Sequence, residues 1–294
     1  MHFEQIAGAR AHKELRSATA DVLSLVPYLR TEIDIDTPPL EVGDVPSDGD
    51  RISCEALITN ESWLDIVIRD SGRRLGTEDP VVGASLFVQN YAYRVIMLAV
   101  ACLTTSGVIP DSSAKSMTIT MSGGRPSTVG YRVSQMEKLT PRGTNLEVAM
   151  SNPEIATEAL MSIIDSAYRE NVARLIDATR THIRVGKRLL LGNVAASSAV
   201  AFRTMEGCLG PWVQELGETF FRSCPTELRG LGSFLSLEHG DRRGWYWERT
   251  NCCLYDRLPG KTRCADCSRT PSEDRRQAYW DSLKQSSTDS ALKS

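Results

Sequence analysis

Residues 84–105 read ASLFVQNYAYRVIMLAVACLTT, and what covers this stretch decides the fold. It follows Pro80, ends before Pro110 and is apolar nearly all the way round. Such a pattern belongs to a helix enclosed on every side rather than to one with a solvent face. Its most membrane-like part, residues 95–109, falls short of the roughly 18 to 20 apolar residues a bilayer span needs, and Arg94 stands at its edge. The expectation is a central core helix and no transmembrane segment. Gln89, Asn90, Tyr91 and Arg94 are its polar interruptions.

Working outward, residues 11–29 place Leu15, Ala18, Val22, Leu25 and Leu29 on one helical face. Residues 31–50 carry seven acidic groups, no basic ones and three prolines, so they read as a surface loop or short broken strands. Asn60 is placed to cap a helix over 61–74. Residues 116–121 and 128–134 alternate like strands about an SGGRPS turn, which predicts a hairpin. Pro153 opens a long helix to about Val185. KRLLLGNVAASSAVAFRTMEGCL, residues 187–209, is a small-residue helix suited to close packing, and 213–222 forms a short one.

The fold class is therefore α+β, predominantly helical. A large domain over 1–240 contains the acidic loop 31–50, a cysteine-bearing segment spans 241–280, and the polar tail 285–294 is expected to be disordered. The 294 residues are 41% hydrophobic and 24% charged, ordinary values for a globular protein with a full core. A formal charge of −3 argues against nucleic acid as a partner. The N-terminal residues show no apolar signal region, so the expected location is the cytoplasm.

Four of the eight cysteines crowd one place: Cys252 and Cys253 are adjacent, and Cys264 and Cys267 follow. Soft thiolates select zinc, copper(I) or iron–sulfur cores. Pro259-Gly260 between the two pairs predicts a type II turn that folds Cys264 and Cys267 back beside the first pair. Structural zinc sites usually space their cysteines two to four residues apart, so the adjacent pair fits a two-metal cluster better than one ion. Residues 242–263 add six basic residues against two acidic ones, which would offset an anionic cluster. Trp245, Tyr246 and Trp247 are candidates to shield it from water, and packing alone explains them equally well. Cys54, Cys102, Cys208 and Cys224 read as buried free thiols.

The stretch CCLYDRLPG, residues 252–260, with the spacing of Cys264 and Cys267, resembles the C-terminal signature of the FhuF-like ferric-siderophore reductases. ASLFVQNYAYR, residues 84–94, looks like that family's central helix. LLLGNVAASSAVA, residues 189–201, is similar to its LWGN-containing helix, with Leu191 where the family often has tryptophan. The resemblance implies a [2Fe–2S] cluster on Cys252, Cys253, Cys264 and Cys267. It also implies a ferric siderophore, of hydroxamate type, as the substrate from which one electron releases iron(II). Gln89, Tyr91, Arg94, Asn193 and Arg203 interrupt otherwise apolar helices and are the candidate chelate contacts.

No Gly-x-Gly-x-x-Gly follows a strand, so the electron is expected from a ferredoxin or flavoprotein. Two other readings compete: a zinc-knuckle interaction module, and an iron–sulfur sensor without turnover. The four histidines are scattered and form no catalytic constellation.

Overall fold

The computed structural model describes residues 1–29, 31–32, 39–40, 46–132, 135–140 and 145–291. β1 (His2–Ala7) runs straight into α1 (Gly8–Leu25). Part of the expected apolar face forms, with Leu15, Ala18 and Val22 buried beside Ala11, but Leu25 is exposed and Leu29, though buried, lies beyond the helix. The helix starts earlier and stops before Pro27, which disfavours helical geometry at the preceding residue. β2 (Thr31–Glu32) is followed by β3 (Arg51–Ser53); most of the acidic stretch between them lies outside the described residues. α2 (Cys54–Thr59) leads to α3 (Glu61–Arg74). Asn60 caps α3 as its position predicts, accepting from the Trp63 N–H at 3.2 Å.

α4 (Pro80–Ser106) begins with proline in its first turn and an Asp79 cap, and it ends at Gly107 with φ +64°. That left-handed residue closes the helix and turns the chain into β4 (Val108–Pro110). β5 (Met117–Ser122) and β6 (Arg125–Tyr131) form the expected hairpin with a tighter turn and an earlier second strand. Residues 133–134 of that expected strand lie outside the described residues, and β7 (Gln135–Thr140) follows. α5 (Leu146–Met150) precedes α6 (Pro153–Ile163). The long helix expected from Pro153 passes through a π-helical stretch, Ile164–Val172, before α7 (Ala173–His182). α8 (Lys187–Leu209) and α9 (Trp212–Ser223) complete the helical body. β8 (Gly232–His239), β9 (Arg242–Arg249) and α10 (Ser272–Ala291) carry the C-terminal part.

The protein is thus α+β and mostly helical. Among the described residues the strands form three small sheets, ordered β1-β7-β4, β2-β6-β5-β3 and β8-β9. Among the described residues only β2 and β6 pair in parallel. α4 is the hub, packed against α1, α3, α8 and β6. By length and composition it could cross a membrane, but 78% of its most apolar 18-residue window is buried inside the fold. Enclosure on every side, not shortness, makes it a core helix.

Three expectations need correction. The boundary at residue 240 falls in the turn of the β8–β9 hairpin, whose strands pair from Gly232↔Arg249 to His239↔Arg242, so the hairpin is one unit. α10 runs on to Ala291, so residues 285–291 of the expected disordered tail are helical; they contain no proline or glycine to stop it. Cys54, Cys102 and Cys224 are buried, each thiol pushed up to about 12 by desolvation, whereas Cys208 is exposed.

Candidate metal centre

The cysteine segment leaves the end of β9 and reverses direction twice. Leu254 adopts φ +67°, a left-handed conformation that a branched side chain rarely takes. It brings the Leu254 N–H onto the Cys252 sulfur at 3.3 Å and turns the chain into a helical turn over Tyr255–Arg257. The Pro259-Gly260 turn forms where the sequence places it: Lys261 N–H donates to Leu258 O at 3.1 Å, and Gly260 has φ +67°. A second tight turn, Cys267 N–H to Cys264 O at 3.0 Å, carries the other two thiols.

The adjacent cysteines face different neighbours. A hydrogen bond with Cys264 pulls the Cys253 thiol down to about 6, with the Arg249 charge adding to it and burial opposing it. The Cys264 thiol is correspondingly raised. The Cys252 thiol is raised, chiefly by burial and further by Cys267 and Cys253. Cys253 and Cys267 are buried, while Cys252 and Cys264 are half-buried. Among the described residues, no three His, Cys, Asp or Glu side chains converge as they would around a single metal ion. Cys253 lies against Cys264, and Cys252 feels the charges of Cys267 and Cys253, so the four thiols would be the donors for a [2Fe–2S] core.

What holds this segment on the helical body is a chain of buried hydrogen bonds. Ser85 Oγ on α4 donates to Cys253 O at 2.7 Å. Asn193 Nδ2 on α8 donates to Ser85 O and Oγ at 2.9 and 2.8 Å. Arg249 Nη2 donates to Asn193 Oδ1, and its Nε to Asn251 O, both at 2.7 Å. Asn251 Nδ2 reaches Leu189 O at 3.0 Å, passing so close to Gly192 that a Cβ there would lie 1.8 Å from Asn251 Oδ1. Beneath the loop, Val82 and Leu86 of α4 pack against Leu254 and Leu258.

Outside, α10 clamps the hairpin. Tyr279 stacks on Tyr246 at 4.5 Å and donates to Trp247 O, and Arg275 donates to Arg249 O. The aromatic run has a packing role: Trp245 stacks on Phe234 and Trp247 on Phe221. The local positive charge is partly neutralised, since Arg263 and Arg269 face Asp256 and Arg257 faces Asp79.

A cavity of about 240 Å³ opens beside the thiols, lined by Gln89 and Asn90 of α4, Arg125 of the β5–β6 hairpin, and Cys253, Cys264 and Asp266. Of the five candidate chelate contacts, only Gln89 lies there, with its buried Oε1 unpaired. Tyr91 is fully buried and donates to Asn171 Oδ1 at 2.5 Å, which directs it into the core. The amide of Asn193 is spent on Ser85 and Arg249. Arg94 packs beside Tyr93 with Nε and Nη1 unpaired, its pKa lowered by burial. Arg203 lies over the Tyr246 ring, 5.3 Å from its centroid. Neither Arg94 nor Arg203 lines the cavity. Asn90, a polar interruption of the central helix, joins Gln89 in the cavity, and nothing local in the sequence brings Arg125 and Asp266 to them from two distant segments.

A search of curated proteins returns no match. Among solved structures the chain resembles ATP-bound aerobactin synthetase IucA from a hypervirulent pathotype of Klebsiella pneumoniae, with 13% identity, TM-score 0.50, and coverage of 66% of this chain and 41% of that one. The petrobactin biosynthesis protein AsbB from Bacillus anthracis str. Sterne aligns at 10% identity and TM-score 0.44, over 68% of this chain and 35% of that one. The chain therefore spans less than half the length of these structures, and the likeness to IucA is one of fold alone. Residues 85–231 match the family described as ferric iron reductase FhuF-like transporter, and residues 249–269 match its FhuF 2Fe-2S C-terminal domain. The second match covers Cys252, Cys253, Cys264 and Cys267, and its domain type carries a [2Fe–2S] cluster. Central helices, cysteine loop and cluster type agree, and the chain belongs to the FhuF-like ferric iron reductase family.

Proposed function

We propose that this protein reduces iron(III) held in a siderophore of hydroxamate type, in the cytoplasm, with Cys252, Cys253, Cys264 and Cys267 holding the cluster. The observation that carries the reading is the cavity shared by Cys253 and Cys264 with Gln89, Asn90 and Arg125. It places hydrogen-bonding side chains beside two of the four thiols, within one depression.

When bound, the cluster supplies single electrons. The chain's own contribution is placement. Ser85, Asn193 and Arg249 fix the loop, so the distance from the thiols to the cavity is set by buried hydrogen bonds. Gln89 and Asn90 offer amide groups to the chelate, and Arg125, Arg249 and Asp266 give the lining charges of both signs. That mixture suits a nearly neutral oxygen-donor chelate better than a polyanionic one. No general acid or base is needed, because hard oxygen donors hold iron(III) far more strongly than iron(II). One electron makes the complex labile.

The electron comes from a separate ferredoxin or flavoprotein in this reading. Reduction by NAD(P)H alone, without added protein, would refute that part. The cluster assignment is tested by cysteine variants. Cys252→Ser and Cys253→Ser should each remove or destabilise the visible chromophore, while Cys102→Ser should leave it intact. A colourless wild-type protein with stoichiometric zinc would overturn the reading in favour of a zinc knuckle.

A further inference from the structure

Alternation along β9 buries Trp245, Trp247 and Arg249 on one face. The first two fill an apolar layer with Phe221 and Phe234. The third is a guanidinium with 3% of its surface exposed. Its described hydrogen bonds go to the neutral Asn193 Oδ1 and Asn251 O, and among the described residues no carboxylate pairs with it. The nearest acidic residue in sequence, Glu248, is held by Arg276 at 3.0 Å on the outer side. A buried charge without a counter-ion is strongly unfavourable. Arg249 nevertheless lines the same cavity as Cys253, Cys264 and Asp266, and among the described residues no ion pair joins it to that carboxylate, which faces Cys264 and Cys253.

We propose that Arg249 is the built-in counter-ion of the cluster, a positioning residue whose charge favours the reduced state and makes cluster and fold depend on each other. It rests on the reading that the four cysteines hold the cluster. Four thiolates around a two-iron core leave a net negative group, and reduction makes it more negative by one charge. A fixed cation in a site of low dielectric stabilises the more negative state most. The same cation is a liability when the thiolates are lost, since Asn193 and Asn251 satisfy its N–H groups but not its charge.

The test uses the full-length holoprotein with Arg249→Met and Arg249→Lys. At a fixed ambient potential the ratio of reduced to oxidised cluster should fall at least tenfold in Arg249→Met, a shift of about 59 mV for a one-electron couple. Arg249→Lys, which keeps the charge, should stay within about threefold. Equal midpoint potentials in wild type and Arg249→Met would overturn the proposal. If Arg249→Met does not load its cluster, Arg249→Gln, which keeps an amide donor for Asn193 Oδ1 or Asn251 O but carries no charge, takes its place in the titration with the same tenfold fall expected. Loss of loading in Arg249→Gln but not in Arg249→Lys is the same dependence on charge and supports the proposal. Loss of loading in both, or a loaded Arg249→Gln with the wild-type midpoint potential, would show a merely structural arginine and overturn it. Failure of the underlying cluster reading looks different: the wild-type protein would then be colourless, with stoichiometric zinc and no redox couple to titrate.

Discussion

Asn193 on α8 and Arg249 at the end of β9 are joined by a buried hydrogen bond of 2.7 Å. The same asparagine donates to Ser85 on α4, which in turn holds Cys253. One side chain thus ties both central helices to the segment carrying the thiols. Asn193→Ala would leave a buried guanidinium and a serine short of partners, each a costly omission. We expect a loss of about 3 kcal/mol in stability, with cluster content falling in parallel, measured by urea unfolding and by iron per chain.

Gly192 supports the contact next door. A Cβ there would lie 1.8 Å from Asn251 Oδ1, so Gly192→Ala should expel Asn251 and cost roughly 2 kcal/mol or more. Gly207 on the same helix has nothing within 4 Å of a built Cβ. Gly207→Ala should therefore stabilise by about 0.5–1 kcal/mol through helix propensity. Thermal unfolding of the two variants side by side checks both signs.

The cavity predicts a separation between binding and structure. Gln89→Ala and Arg125→Ala should raise KM for the ferric chelate several-fold while leaving the visible spectrum unchanged. Tyr91→Phe should lower stability by about 1 kcal/mol, because the Asn171 oxygen loses its donor, without altering KM. Steady-state kinetics and unfolding curves on all three variants distinguish these outcomes.

Much of this was legible in local patterns. The Asn60 cap, the helix entered through Pro80, the 187–209 helix and the Pro259-Gly260 turn depend on residues close in sequence, and all four form. The β1-β7-β4 sheet was not legible, because β1 pairs with a strand that begins at Gln135 and no short-range signal joins them. The β8–β9 hairpin carries a period-two signal in Trp245, Trp247 and Arg249, and the aromatic run, open in sequence to shielding or packing, packs on Phe221 and Phe234. Tyr91 and Asn193 were recognised as unusual polar residues in apolar helices. Their partners, Asn171 and the Ser85–Arg249 pair, emerge only when distant helices pack. The same packing turned two expected ligand contacts into structural ones.

Glu55 and Arg174 link α2 to α7 through two hydrogen bonds of 2.6 and 2.7 Å. The hydrogen bond with Arg174 holds the Glu55 carboxyl below its ordinary value, against a smaller burial effect. A lowered folded-state pKa means that this stabilisation is present above the unfolded pKa of about 4.3. It is lost as pH falls through the lower folded value. Glu55→Gln should accordingly cost about 1 kcal/mol at neutral pH. The gap from wild type should close as pH drops below about 4, followed by urea unfolding across the acid range.

The central claim is that an electron passes from the cysteine loop to iron(III) in a chelate docked beside Cys253 and Cys264. Its most direct test is a single turnover: anaerobic, prereduced protein mixed with a ferric hydroxamate chelate and a chromogenic iron(II) trap. The account predicts that the visible spectrum returns to the oxidised form as one iron(II) appears per cluster, at matching rates. A cluster that stays reduced while no iron(II) is trapped would contradict it.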